Sequence, residues 1–110
     1  MKQQANQTTI YIGLNDSDSD EQLFETDKYL SVLRHVCENY HVSFSVRIIH
    51  GGYFQETGKY TKENTMELIL IDVAHPVIME IAKDLCAFFN QESVMVTYAP
   101  TSVVFVKEKI

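Results

Sequence analysis

The sequence predicts an α+β domain in which one face of an antiparallel sheet is covered by two helices. Three observations lead to this prediction. Several segments alternate apolar and polar residues with a period of two, two others repeat apolar residues every three or four positions, and together they run in the order β-α-β-β-α-β. With 110 residues, 45% of them hydrophobic, one domain is expected over residues 1–110, with its core at about 8–107.

The first half of the chain supplies a strand, a helix and a second strand. The first strand is predicted over residues 8–14, where Gly13 suggests a close approach of the backbone to another group. A polar loop, 15–21, follows it. A helix with Thr26 as its N-cap is predicted to end at about Asn39. The second strand is predicted over 44–49 and runs into residues 50–54, whose paired glycines suggest a bulge or bend.

The second half completes the predicted sheet. A turn at 56–59, with Gly58 at positive φ, leads into a third strand over 60–72, which makes one long hairpin. Pro76 suits the first turn of a second helix, for which Asn90 is a plausible stop. A strand over 93–98, a turn over 99–102 and a short final strand over 103–107 follow. Right-handed crossovers then give a ferredoxin-like sandwich with an extra C-terminal strand and both helices on one face.

The sheet face away from the helices is predicted to be partly apolar. Its expected residues are Tyr11, Arg47, Ile49, Glu67, Ile69, Ile71 and Met95. Apolar surface of this kind is rarely left in water, so a second subunit is expected to cover it in a homo-dimer or homo-trimer.

Charge and composition limit the partners and the compartment. A net charge of −6 disfavours nucleic acid. No apolar stretch approaches the ~20 residues that span a bilayer, and the N-terminus lacks the apolar region of a secretory signal, so we expect a cytoplasmic protein without a membrane segment. Cys37 and Cys86 lie on the apolar faces of the two predicted helices and are expected to be buried, reduced thiols.

The acidic loop has the spacing of the first three calcium ligands of an EF-hand. Asp16, Asp18 and Asp20 provide that spacing, but Glu21 stands where the loop needs glycine and Asp27 where it needs glutamate. The histidines lack paired zinc spacing, and no motif for hydrolase, phosphoryl-transfer or dinucleotide chemistry occurs. We therefore expect no metal site and no cofactor.

The long hairpin concentrates candidate functional groups. The expected ligand-binding residues are Arg47, His50, Tyr53 and Tyr60. If the protein is an enzyme, the expected acid-base pair is His50 as the base with Glu63 or Glu67 as the carboxylate that orients it. Protection of a sheet edge is the alternative explanation for the same residues.

Residues 10–14, the hairpin with Gly51, Gly52, Tyr53 and Gly58, and residues 89–94 together resemble a family of small uncharacterised bacterial ferredoxin-like proteins. The layout is also similar to PII-like signalling proteins, trimers whose long loop between the second and third strands senses nucleotides or small metabolites. The resemblance implies a homo-oligomeric binding or regulatory domain that meets a small molecule or a protein partner through its hairpin. A small acid-base enzyme without a cofactor and a structural or protein-interaction module are the alternatives; we lean against an enzyme.

Overall fold

The computed structural model describes residues 2–108, and the described chain is an α+β structure. Its elements are β1 (Lys2–Gly13), α1 (Thr26–Asn39), β2 (Ser45–Phe54), β3 (Tyr60–Ile71), α2 (His75–Phe88) and β4 (Met95–Val104). The order β-α-β-β-α-β is the one that the sequence pattern predicts. Thr26 is the first helical residue rather than the cap, because Glu25 holds the extended N-cap position and makes no side-chain capping bond.

The four strands form an antiparallel sheet in the order β2-β3-β1-β4. The β2–β3 register runs without interruption from Ser45 opposite Ile69 to Phe54 opposite Tyr60, so the bulge expected at Gly51 and Gly52 is absent from this hairpin. The turn between the strands places Gly58 at φ 88°, as predicted.

The C-terminal part of the sheet corrects the sequence prediction. β4 is continuous through residues 99–102, where a turn was expected, and in the described range no separate strand follows it. Pro100 pairs with Asn6 of β1, and an edge strand tolerates a residue without an N–H group. This pairing also explains why β1 begins at Lys2 instead of Thr8: its first residues pair with the far half of β4.

The core lies between the sheet and the two helices. Its fully buried residues from the strands and the end of β1 are Ile10, Ile12, Leu14, Met66, Leu68 and Leu70, and they pack with helix residues that include Leu33, Cys37, Ile81 and Leu85. Because one cluster unites both helices with alternate strand residues, the helices share one face of the sheet. Burial raises the pKa of the Cys37 thiol to about 11, so this residue behaves as an unreactive core side chain.

Two strand pairs extend beyond this body in opposite directions. Residues 2–5 pair only with β4, and the hairpin continues past the end of β1 at Gly13, which gives a molecule of 56 × 28 × 27 Å. Among the described residues, no helix is long and apolar enough to cross a membrane. The end of β1 and the base of the hairpin bring the loop segments together at the candidate site.

Candidate functional site

An acidic cleft lies where β1 ends, at the base of the hairpin and beside the loop after α2. It has a volume of about 280 Å³ and is lined by Asn15, Asp16, Ser17, Asp20, Tyr53, Glu63, Gln91, Glu92 and Ser93. Four of these lining residues are carboxylates, and none is lysine or arginine. The cleft therefore favours a cationic ligand.

Glu63 is the cleft carboxylate that lies against the end of β1. Its Oε2 accepts a hydrogen bond of 3.1 Å from the backbone N–H of Asn15. A Cβ at Gly13 would overlap the carboxyl group, so the close approach expected at this glycine is confirmed and its partner is Glu63. Burial raises the pKa of Glu63, the bond from Asn15 opposes that rise, and the negative charge of Asp20 adds to it.

Tyr53 provides an aromatic wall beside Glu63. Burial raises the pKa of its phenol, and the negative charges of Asp20, Glu63 and Glu92 raise it further. The hydroxyl group is therefore neutral at physiological pH. An aromatic ring next to carboxylates is a common way to bind a cation, since the ring face is negative.

Asn15 joins the segments that form the cleft. Its side-chain amide donates to the carbonyl of Lys62 at 2.9 Å, and its own carbonyl accepts a bond of 2.6 Å from the Gln91 side chain. Its backbone also forms an isolated antiparallel β-bridge with Gln22. Because Asn15 is almost fully buried, these bonds tie the loop after β1 firmly to the hairpin and to the loop after α2.

A second cleft adjoins the first. Its volume is about 260 Å³, and its lining includes Gln22, His50, Lys62 and Asn64 together with Asn15 and Glu63. His50 is hydrogen-bonded through Nδ1 to Oδ1 of Asn64, at 2.8 Å. Asn15 and Glu63 belong to both linings, so the two clefts adjoin at these residues.

Glu67 lies apart from His50 and is paired with Arg47. The two side chains face each other across β2 and β3, with Nε and Oε1 at 2.9 Å and Nη2 and Oε2 at 3.4 Å. The pair of His50 with Asn64 lies three residues along the strands from this ion pair, a distance of about 10 Å. Of the two carboxylates expected beside His50, only Glu63 shares a cleft with it. Arg47 binds a carboxylate of the protein itself.

Tyr60 lies farther out on the hairpin. Its ring packs edge to face against Phe54, with centroids 5.3 Å apart, and its hydroxyl end covers Gly52. It lines neither cleft. Of the four expected ligand-binding residues, the structure brings Tyr53 and His50 to the clefts around Glu63 and places Arg47 and Tyr60 elsewhere.

Asn15, Asp20 and Glu92 line the cleft, but the sequence analysis did not name them among the expected ligand-binding or catalytic residues. Asp20 stood out only as a possible calcium ligand, and Glu92 lies about 20 residues beyond the end of the hairpin at Ile71. The one local signal was Gly13, since a glycine late in a strand indicates that another group approaches its backbone. That signal does not identify the group.

We expect no micromolar calcium binding by the acidic loop. Asn90 donates from Nδ2 to Asp16 at 2.8 Å and to Asp18 at 2.9 Å, so its amide occupies the space between the two carboxylates. The bond from Asn90 also lowers the pKa of Asp16. Titration calorimetry with calcium measures this directly, and micromolar affinity that Asp18→Ala abolishes would contradict the expectation.

Glu63→Gln is expected to raise the thermal stability at neutral pH. A raised native pKa means that the native state binds the proton more tightly than the unfolded chain, so stability falls as pH rises between the two pKa values. At pH 7 the ionised carboxylate therefore destabilises the fold. Glutamine removes the charge and can still accept the bond from Asn15.

Circular dichroism melting curves of wild type and Glu63→Gln, recorded at pH 7 and near pH 4, measure this difference. The gain in Tm should shrink at the lower pH, where the carboxyl group approaches neutrality in both states. Glu80→Gln, which changes an exposed helix carboxylate, is the matched control. A lower Tm of Glu63→Gln at pH 7 would show that the carboxylate stabilises the fold.

Comparison with known proteins gives matches only among solved structures. No protein-family model matches the chain, and no curated protein matches it significantly. A phage SAM lyase in complex with S-methyl-5'-thioadenosine matches with a TM-score of 0.69 and 19% sequence identity over 92% of this chain and 90% of that one. The apo state of a phage SAM lyase matches with a TM-score of 0.65 and 19% identity over 94% and 92%. These likenesses show a shared fold.

The comparison corrects the functional expectation from the sequence. A PII-like binding or regulatory domain was expected, whereas the two matching structures with TM-scores of 0.69 and 0.65 are those of an enzyme, a phage SAM lyase. The PII-like expectation was therefore wrong. Its basis was the element order and the long hairpin, which unrelated functions share.

Proposed function

We propose that this protein is an enzyme that cleaves S-adenosylmethionine (SAM) and releases S-methyl-5'-thioadenosine (MTA). The observation that carries the proposal is the acidic cleft, in which the Glu63 carboxylate and the Tyr53 ring face one space without a lysine or arginine in its lining. SAM is a sulfonium cation. Carboxylates attract that charge, and an aromatic face binds it as it binds quaternary ammonium groups.

The likeness to phage SAM lyase supports this choice among possible cations. That lyase has the same fold over about nine tenths of both chains, and its complex contains MTA. MTA is the part of SAM that remains when the bond between sulfur and the aminobutyryl chain breaks. A fold shared at 19% identity leaves the function to be argued from the site, and the acidic and aromatic cleft is that argument.

Release of MTA places limited demands on the residues of this chain. The electron pair of the broken bond stays on sulfur, so the sulfonium becomes a neutral thioether and the leaving group needs no proton. As this bond breaks, the carboxylate of the four-carbon fragment attacks the carbon that leaves sulfur and closes a lactone, or a base removes a proton from the neighbouring carbon and an alkene forms. Glu63 would hold the sulfonium for either route and would take the proton in the second.

Incubation of the purified protein with SAM tests the proposal. Mass spectrometry should show MTA accumulating as SAM is consumed, and the four-carbon product should identify the route. The rate must exceed the slow spontaneous decay of SAM in buffer. A rate no higher than that of buffer alone would refute the proposal, as would release of S-adenosylhomocysteine, which marks methyl transfer.

We also propose that the protein is a homo-oligomer. Apolar side chains exposed on the sheet and its C-terminal extension include Ile71, Met95, Val104 and Phe105, with Met95 at 57% and Phe105 at 74% exposure. Burial of such surface is worth about 25 cal/mol per Å². Light scattering at tens of micromolar protein should give at least twice the chain mass of 12.7 kDa. A monomeric mass would contradict the proposal.

A further inference from the structure

A series of side-chain amides connects the start of α1 to His50. The Gln22 amide donates from Nε2 to the carbonyl of Phe24 at 2.9 Å and to the hydroxyl of Thr26 at 3.1 Å. Asn64 donates from Nδ2 to Oε1 of Gln22 at 3.0 Å. The Oδ1 atom of Asn64 then faces Nδ1 of His50 at 2.8 Å.

The carbonyl of Phe24 sets the direction of the whole series. A backbone carbonyl only accepts, so Gln22 must turn its NH₂ group toward Phe24 and its oxygen toward Asn64. Asn64 must therefore donate to Gln22 and present its oxygen to His50. The Nδ1 atom of His50 must carry the proton, and in the neutral ring Nε2 keeps its lone pair.

The position of His50 leaves this lone pair free to accept a hydrogen bond from a ligand. His50 lines the second cleft, and among residues 2–108 no protein group bonds to its Nε2. The two clefts share Asn15 and Glu63 and otherwise have different linings. SAM has two arms, adenosyl and aminobutyryl, which diverge from the sulfonium and could occupy one cleft each. With the sulfonium at Glu63, the aromatic Tyr53 side suits the nucleoside, and the amide-lined His50 side suits the amino acid.

We propose that His50 accepts, through Nε2, a hydrogen bond from the α-ammonium group of the aminobutyryl arm of SAM. Asn64 and Gln22 are positioning residues, because they fix the tautomer that makes Nε2 an acceptor. The inference rests on the proposed function for its substrate, whereas the tautomer follows from the hydrogen bonds alone.

Nuclear magnetic resonance of ¹⁵N-labelled protein tests the tautomer without any activity. In alkaline buffer, wild-type His50 should show a protonated Nδ1 and an unprotonated Nε2. Asn64→Leu should abolish this preference, and Gln4→Leu, which removes an amide at the other end of β1, should leave it unchanged. A wild-type ring protonated on Nε2 would overturn the proposal.

Steady-state kinetics test the contact with the ammonium group. His50→Ala should raise the KM for SAM about tenfold or more, the usual effect of losing a hydrogen bond to a charged group. The inhibition constant of MTA, which lacks the aminobutyryl arm, should stay within about twofold. Asn64→Leu should raise the same KM by a smaller factor, and Gln4→Leu should change neither constant.

The outcomes separate the two proposals. An unchanged KM for His50→Ala, or equal increases in the KM of SAM and the inhibition constant of MTA, would overturn the role of His50 and leave SAM cleavage standing. A wild-type protein that forms no MTA would refute both the proposed function and the substrate contact.

Discussion

Glu63→Gln is expected to reduce the rate of SAM cleavage on the order of 100-fold, the largest effect of any single change considered. The substitution keeps the size of the side chain and its capacity to accept the bond from Asn15, but removes the negative charge. In a partly buried cleft that charge acts through a lower dielectric than water, so its loss weakens sulfonium binding and positioning strongly. Initial rates of MTA formation measure the effect.

Glu80→Gln is the matched control for charge. Glu80 lies on the exposed side of α2 with Lys83 as its partner, so its removal changes the net charge by the same amount without touching the cleft. Its rate should stay within about twofold of wild type. Equal losses in both variants would mean that net charge alone matters, and full activity of Glu63→Gln would remove Glu63 from the mechanism.

Gly13→Ala is expected to have the second largest effect, also on the order of 100-fold in rate. The backbone of Gly13 lies outside the positive-φ region, so alanine is conformationally acceptable there. Its methyl group would overlap the Glu63 carboxyl, which must then move. Misplacement of a reacting group by about 1 Å costs roughly 100-fold. The same assay of MTA formation measures the loss.

Gly51→Ala is the comparison that separates this steric effect from the loss of a glycine. A Cβ at Gly51 would have its nearest neighbour at 3.9 Å, an ordinary contact. Its loss of rate should be at least tenfold smaller than that of Gly13→Ala. Similar losses in both variants, or a collapse of the melting transition of Gly13→Ala, would show that Gly13 serves the fold instead of the position of Glu63.

The sequence alone determined the elements whose signals are local. The spacing of apolar residues predicts the apolar faces of the two helices, and Gly58 predicts the hairpin turn. Both signals are local, because the apolar repeat and the freedom of glycine to adopt positive φ act within a few residues. The long hairpin also drew attention to His50, Tyr53 and Glu63 as chemistry-bearing residues.

Tertiary structure decided the register and everything that depends on it. Residues 99–102 read as a turn, yet they continue β4 because pairing with β1, more than 90 residues earlier, satisfies their backbone. Register likewise paired Glu67 with Arg47 and left Glu63 beside Gly13 and Asn15. The separation of these residues along the chain does not predict their distances in space. They arise only when strands and loops from both halves of the chain pack together, and that packing forms the acidic cleft.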